Sequence, residues 1–230
     1  MWSSKPVLTW FQWLTYRQAP EVVHFENTFY LYYSVSNFSS QNSAIGVATS
    51  SSLDVANWKD LGAIIQSSKG SPFNAIDPSF IHAGGVSLLT FGSFWQDIHQ
   101  VALASPPTKT SGNPKQIAFD PANTAEEGAA LYHHGDFYYL FYSKGKCCGY
   151  DKNRPKAGEE YKILVCRSSS ATGGFVDANG KDCTKGGGTV VLQSHNNVYG
   201  PGGQGVYDDP THGPVSFNSI IRWNNTIDKV

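Results

Sequence analysis

The stretch GAALYHHGDFYYLFYSKG, residues 128–145, decides the fold class. Two apolar and aromatic runs are separated by a short polar turn, the pattern of two paired strands. EVVHFENTFYLYYSVS, residues 21–36, has the same design. Other runs rich in β-branched or aromatic residues also indicate strands; they cover 43–50, 86–95, 161–168 and 189–194. Because no convincing amphipathic helix accompanies them, the sequence predicts an all-β protein.

The strand runs fall into a rough repeat. Each unit opens with an acid beside a proline or glycine, at Glu21, Asp77, Glu127 and Asp209, with spacings of 56, 50 and 82 residues. Repeats of about 40–50 residues with roughly four strands each are typical of a β-propeller. The innermost strands of a propeller begin near its axis, so we expect these acids to converge on one central cavity.

Length and charge limit the possible functions. The chain has 230 residues and a formal net charge of −1, which fits one domain over 1–230 and favours neither nucleic acid nor an acidic membrane as partner. No apolar run approaches membrane-spanning length. The N-terminal segment lacks the charged start, clean apolar stretch and cleavage site of a signal peptide.

The four cysteines, Cys147, Cys148, Cys166 and Cys183, allow three pairings. The adjacent pair can form a vicinal bridge and Cys166–Cys183 can close a short loop, while reduced thiols are the alternative. The cysteine spacing does not match a zinc site, and His133, His134 and His195 also lack ligand spacing. No metal site is therefore predicted from these residues.

GPGGQG, residues 200–205, fits the glycine pattern of a dinucleotide-binding loop. Pro201 lies inside the motif and further prolines follow it, so no helix can begin there. We therefore reject dinucleotide binding and predict a tight loop near the central cavity.

Several motifs in order carry a family likeness: NAIDP, FGSFWQDI, EEGAALYHHGDFYYLFYS, CCGYD, GEEYKILVCRS and YGPGGQGVYDDPTHGP. With these motifs the chain resembles the family 43 glycoside hydrolases, and among them the fungal endo-1,5-α-L-arabinanases, over roughly residues 19–215. The resemblance implies a five-bladed propeller that cleaves internal α-1,5 linkages of arabinan with inversion. It further implies a secreted, monomeric enzyme that requires no cofactor, although the family often has a central calcium ion.

The resemblance also assigns roles to residues. It makes Glu127 the general acid and Asp77 the aspartate that tunes and orients it. Without the resemblance, Asp77 before a proline is a common turn device, and either Glu127 or its neighbour Glu126 could be a solvated loop acid. The resemblance implies a sugar site formed by Asn74, Ala75, Ile76, Asp77, Ser93, Phe94 and Trp95, with Gly46 as either a backbone contact or a strand glycine. Aromatic side chains suit this role because the apolar faces of sugars stack on them.

Both ends depart from the family pattern. The family's general base is an aspartate in an HDP-like motif of the first blade, but residues 1–20 contain neither Asp nor Glu. Residues 1–18 and 216–230 are divergent, the histidine near the calcium is not found, and His212 does not match it. We therefore predict an incomplete propeller whose first blade and last-blade end are missing or altered. Its activity is expected to be very low, either as a truncated version of a longer enzyme or as an inactive arabinan-binding product.

Overall fold

The computed structural model describes residues 17–122, 124–222 and 227–229. Nearly all of the divergent segment 1–18 lies outside them. The strands are β1 Arg17–Phe25, β2 Thr28–Ser36, β3 Ser43–Ser50, β4 Lys59–Ser67, β5 Ser79–Ala83, β6 Val86–Phe91, β7 Ile98–Ala102, β8 Lys115–Ala118, β9 Glu126–His134, β10 Phe137–Lys144, β11 Lys162–Ser168, β12 Thr189–Leu192, β13 Val198–Asp209, β14 Gly213–Arg222 and β15 Ile227–Lys229. Two short 3₁₀ turns, Val55–Asn57 and Cys183–Lys185, are the helical segments of the described chain.

The strands form four antiparallel sheets in chain order. The first three sheets have four strands each, β1–β4, β5–β8 and β9–β12, and the fourth has three, β13–β15. The first strands of the sheets, β1, β5, β9 and β13, contact one another in sequence. This is the arrangement of propeller blades around an axis, and the predicted all-β propeller is confirmed.

Apolar side chains fill the spaces between neighbouring blades. One cluster joins the first two sheets and includes the fully buried Tyr32, Ile45 and Leu89. A second cluster joins the second and third sheets and includes Ile98, Leu140 and Phe175. The alternation of each strand supplies side chains to both faces, which explains why blade-on-blade packing buries them.

Three sequence-based expectations need correction. The predicted strand 86–95 ends at Phe91, because Gly92 turns the chain with φ of 126°. The GPGGQG string is not a loop: it lies within β13, the innermost strand of its sheet. Asp209, predicted to open the fourth unit, lies instead at the far end of β13, where its carboxylate accepts from Thr211 N–H in the turn to β14.

The two disulfides considered from the sequence are both present. Cys147 is bonded to Cys148, and Cys166 to Cys183 with a Cα separation of 6.6 Å. The second bridge ties β11 to the short turn that follows it, and it lies in the core between the second and third sheets. Among the described residues, no helix has the length and apolar character needed to cross a membrane.

Candidate functional site

The innermost strands surround a cavity of about 250 Å³. Glu21 from β1 and Asp77, just before β5, face it from neighbouring blades. Each also ties its blade to the next one. Glu21 accepts a hydrogen bond from Phe80 N–H at 3.0 Å, and Asp77 accepts one from Gly128 N–H at 3.1 Å. The prediction that inner-strand acids converge on the axis therefore holds for these two residues.

Glu127, the second residue of β9, lies next to the lining residue Gly128. Both oxygens of its carboxyl group accept hydrogen bonds, from Ser93 Oγ and from the Tyr161 hydroxyl, each at 2.6 Å. Burial, followed by the nearby Glu127 charge, holds the pKa of Tyr161 well above its ordinary value, so this hydroxyl stays a neutral donor. Two donors from different loops fix the orientation of one carboxyl group.

Asp77 stands beside this carboxyl in a strained turn. Its φ of 56° is left-handed, a conformation that Asp adopts more readily than most residues. Its backbone N–H donates to Ser34 Oγ at 3.0 Å. Burial, followed by repulsion from Glu127, raises the pKa of Asp77 to about 7, against the opposing bond from Gly128. Burial and the neighbouring Glu127 carboxyl group thus disfavour the charged form of Asp77.

An aromatic pair lies exposed near Glu127. Phe94 and Trp95 are 45% and 41% exposed, with ring centroids 5.9 Å apart. They belong to a run of four residues, 94–97, in which every φ is positive. L-residues pay about 1–2 kcal/mol each in this region, so the surrounding contacts must hold the turn in place. The result is an open apolar surface beside a carboxyl group.

A buried ionic network lies behind Glu127. Lys144 Nζ lies 2.9 Å from Asp120 Oδ2 and 3.1 Å from Glu126 Oε1. Glu126 is fully buried, and its Oε2 atom has no hydrogen-bond partner among the described residues. Burial raises the pKa of Glu126 to about 8; Lys144 opposes the shift and Asp97 adds to it. Glu126 is therefore a structural acid and not the solvated one, which leaves Glu127 as the acid beside the cavity.

The sequence that forms this site matches a known family of enzymes. The model of the family described as glycosyl hydrolases family 43 matches residues 3–217. The chain belongs to glycosyl hydrolase family 43. A probable arabinan endo-1,5-alpha-L-arabinosidase A of Aspergillus flavus is 58% identical over 204 residues, and the match covers 88% of this chain and 64% of that protein. The arabinan endo-1,5-alpha-L-arabinosidase A of Aspergillus niger is 54% identical over 211 residues, covering 91% and 65%. This family 43 chain thus spans just under two thirds of the length of these curated relatives.

Solved structures of arabinanases share the fold. An endo-arabinanase of Bacillus licheniformis is 32% identical with a TM-score of 0.85, covering 98% of this chain and 77% of that one. An arabinanase of Bacillus subtilis is 33% identical with a TM-score of 0.82, covering 96% and 75%. An exo-1,5-alpha-L-arabinanase from a bovine ruminal metagenomic library is 34% identical with a TM-score of 0.83, covering 93% and 71%. The same fold therefore occurs in proteins named for endo-cleavage and in one named for exo-cleavage.

The predicted sugar-site residues of this family 43 chain have different environments. Ser93 is buried and holds Glu127, while Phe94 and Trp95 are exposed. Asn74, Ala75 and Ile76 are only 3%, 0% and 6% exposed, so their side chains are buried. Contact between these three residues and a sugar stays a prediction.

Gly46 lies outside the cavity lining. It is buried in β3, where a Cβ atom would lie 2.2 Å from the Tyr33 hydroxyl. That hydroxyl donates to Asp60 at 2.7 Å. The glycine therefore makes room for the Tyr33 ring, and its proposed backbone contact with a sugar stays untested.

Two residues with evident roles at the site were missed from the sequence. Tyr161 holds Glu127 and Asp97 supports the aromatic turn, and neither has a local signal in the sequence. Glu21, which the repeat predicted at the cavity, faces it. Burial raises its pKa to about 7, against the bond from Phe80.

The calcium that the family resemblance implies finds no ligand set in this part of the chain. The described residues contain no group of three or more His, Cys, Asp or Glu side chains arranged to hold a metal ion. Glu21 and Asp77 at the cavity each already accept a backbone hydrogen bond, in surroundings that disfavour their charged forms. We therefore assign no metal to these residues.

Proposed function

We propose that the protein hydrolyses α-1,5-L-arabinofuranosyl linkages within linear arabinan, with inversion at the cleaved carbon. The observation that carries the proposal is the Glu127 carboxyl, held by Ser93 and Tyr161 beside Asp77. The names of the relatives, which refer to arabinan and its 1,5 linkage, support the choice of substrate. So does a complex of a Cellvibrio cellulosa arabinanase with arabinohexaose, 26% identical to this chain.

In this mechanism Glu127 donates a proton to the leaving glycosidic oxygen. Its two hydroxyl partners do not prevent this, because a protonated carboxyl group keeps enough acceptor sites to receive both hydroxyls while its own O–H donates. Asp77 fixes the start of the general acid's strand through its bond from Gly128 N–H and, when it is ionised, disfavours a second negative charge beside it. Phe94 and Trp95 offer an apolar surface to the faces of the furanose rings.

The second half of an inverting mechanism needs an ionised carboxylate that activates water, about 6.5–9.5 Å from the acid. We predict that the family's general base is absent from this chain. Loss of general base assistance typically costs about 10²–10⁴-fold in rate. We therefore expect the 230-residue chain to bind arabinan and to cleave it slowly.

Binding without cleavage is the second candidate function, favoured by the exposed aromatic pair. We further propose that the protein is secreted and monomeric. The two disulfides support secretion because such bonds persist in oxidising compartments.

The deciding experiment incubates the purified chain and its Glu127→Gln variant with debranched linear arabinan. Slow release of arabino-oligosaccharides by the wild-type chain, lost in the variant, is expected; release of arabinose alone would indicate action at chain ends. Affinity electrophoresis on the same substrate measures binding. Retarded migration without products would support the binding-only candidate, and neither retardation nor products would refute the proposal. Cleavage as fast as by the full-length relatives would show that the missing-base prediction is wrong.

A further inference from the structure

The left-handed turn at residues 94–97 is tied to the strand of the general acid by one side chain. Asp97 closes the turn with its own N–H, which donates to Phe94 O at 2.8 Å. Its carboxylate, only 4% exposed, accepts from Glu126 N–H at 3.2 Å and from Asp120 N–H at 2.9 Å. Both oxygens are thus occupied by backbone groups of the segment that leads into β9.

These contacts reach both parts of the candidate site. Phe94 and Trp95, at the start of the turn, form the exposed aromatic pair. Glu126 directly precedes Glu127, and Phe94 N–H donates back to Glu126 O at 3.3 Å. Asp97 therefore joins the aromatic surface to the general acid through two bonds that a neutral side chain of the same shape cannot both make.

We propose that Asp97 is a positioning residue that sets the distance between the aromatic pair and Glu127, and so aligns a bound arabinan chain with the acid. This inference rests on the proposed function. Two observations support it together. The turn is held in a conformation that L-residues avoid, and Asp97 is the buried charged side chain that receives N–H groups from the opposite segment.

The variant Asp97→Asn tests the proposal because asparagine keeps one acceptor oxygen and points an NH₂ group at the other N–H. We expect the KM for linear arabinan to rise about tenfold and kcat to fall by a similar factor. Asp177→Asn is the matched control. Asp177 also accepts backbone N–H groups with both oxygens, from Lys181 and Gly188 among others, in the loop between β11 and β12.

A double-mutant cycle with Trp95→Ala separates positioning from general destabilisation. If Asp97 acts through the aromatic turn, its effect on KM disappears in the Trp95→Ala background while its effect on kcat through Glu127 persists. Equal and additive effects in both backgrounds, or equal effects of Asp97→Asn and Asp177→Asn, would overturn the proposal.

A readout without substrate keeps this test distinct from that of the proposed function. The chain is labelled with 5-fluorotryptophan, and the Trp95 resonance is assigned with Trp95→Phe. Asp97→Asn should shift or broaden this resonance and Asp177→Asn should not; an unchanged Trp95 signal overturns the positioning role even if the chain neither binds nor cleaves arabinan.

The variant Gln116→Ala provides a second test of the same turn if Asp97→Asn does not fold. Gln116 Nε2 donates to Gln96 O at 2.8 Å, a second anchor of the same turn that leaves the buried acids untouched. Weaker binding of arabinohexaose in calorimetry with kcat retained is expected, and unchanged affinity together with an unchanged Trp95 signal counts against the proposal.

Discussion

Glu127 is oriented by two side chains that are distant in the sequence. Ser93 follows the second blade's β6, and Tyr161 precedes β11 of the third blade. Tyr161 is itself anchored, because its N–H donates to the Tyr150 hydroxyl at 3.2 Å. The position of a single carboxyl group thus depends on two loops and two blades.

The variant Tyr161→Phe should lower kcat about tenfold with little change in KM. The reason is that Glu127 loses one of the two donors that fix its orientation. Initial rates on linear arabinan measure both constants. Tyr33→Phe is the matched control, since it too removes a tyrosine-to-carboxylate bond, here 2.7 Å long to Asp60. A wild-type kcat for Tyr161→Phe, or an equal loss in Tyr33→Phe, would contradict this role.

At the scale of elements, the glycines of β13 lie where neighbouring aromatic rings approach the strand. A Cβ atom at Gly202 would lie 2.0 Å from Tyr161 Cδ1, and one at Gly205 would lie 2.2 Å from Phe217 Cζ. Each glycine leaves space for an aromatic ring of a neighbouring segment. The strand next to the cavity therefore contributes to the site because its glycines have no side chains and leave room for these rings.

Gly202→Ala should destabilise the protein by about 1–3 kcal/mol, the usual effect of overpacking, and should also reduce activity by displacing Tyr161 from Glu127. Urea unfolding and arabinan hydrolysis measure the two effects. Gly205→Ala in the same strand is the control, because Phe217 is 55% exposed and can move aside. Equal effects of the two substitutions on activity would argue against the link through Tyr161.

At the scale of the whole molecule, the fold buries carboxyl groups that prefer to be neutral. Burial is the main cause that raises the pKa of Glu21 and Asp77 to about 7 and that of Glu126 to about 8. All three lie on or beside the innermost strands. The propeller is therefore most compatible with these groups when they are protonated.

Stability should fall as pH rises from about 5 to 8. The folded-state pKa of each group lies above its ordinary value of 3.8 or 4.5. The contribution of each group to stability is therefore complete at acidic pH, and it is lost as the pH rises through the folded-state pKa. We expect a total loss of the order of a few kcal/mol, seen as a falling midpoint of thermal unfolding. Glu126→Gln should flatten the upper part of this dependence, whereas a midpoint that rises between pH 5 and 8 would show the sign to be wrong.

The local sequence pattern predicted most strands, because the alternation of apolar and polar residues along a strand can be read directly from the sequence. The run 43–50 matches β3 from end to end, and the run 161–168 begins one residue before β11 and ends with it. The string at 200–205 was misread since glycine and proline carry no alternation, although the backbone there pairs with β14 through two irregularities in register. The glycines of this strand are required by neighbouring aromatic rings, and the local sequence does not contain that information.

By itself, the sequence determined the all-β class, the repeat and the family likeness, and it pointed to the two acids Asp77 and Glu127, because each is written in short stretches of contiguous residues. Only the tertiary structure decided that Glu126 is buried, that Tyr161 and Ser93 hold Glu127, and that Asp97 supports the aromatic turn. These hydrogen bonds join residues 23 to 34 positions apart in the chain. Burial and hydrogen bonding depend on which blades become neighbours, and no local pattern contains that information.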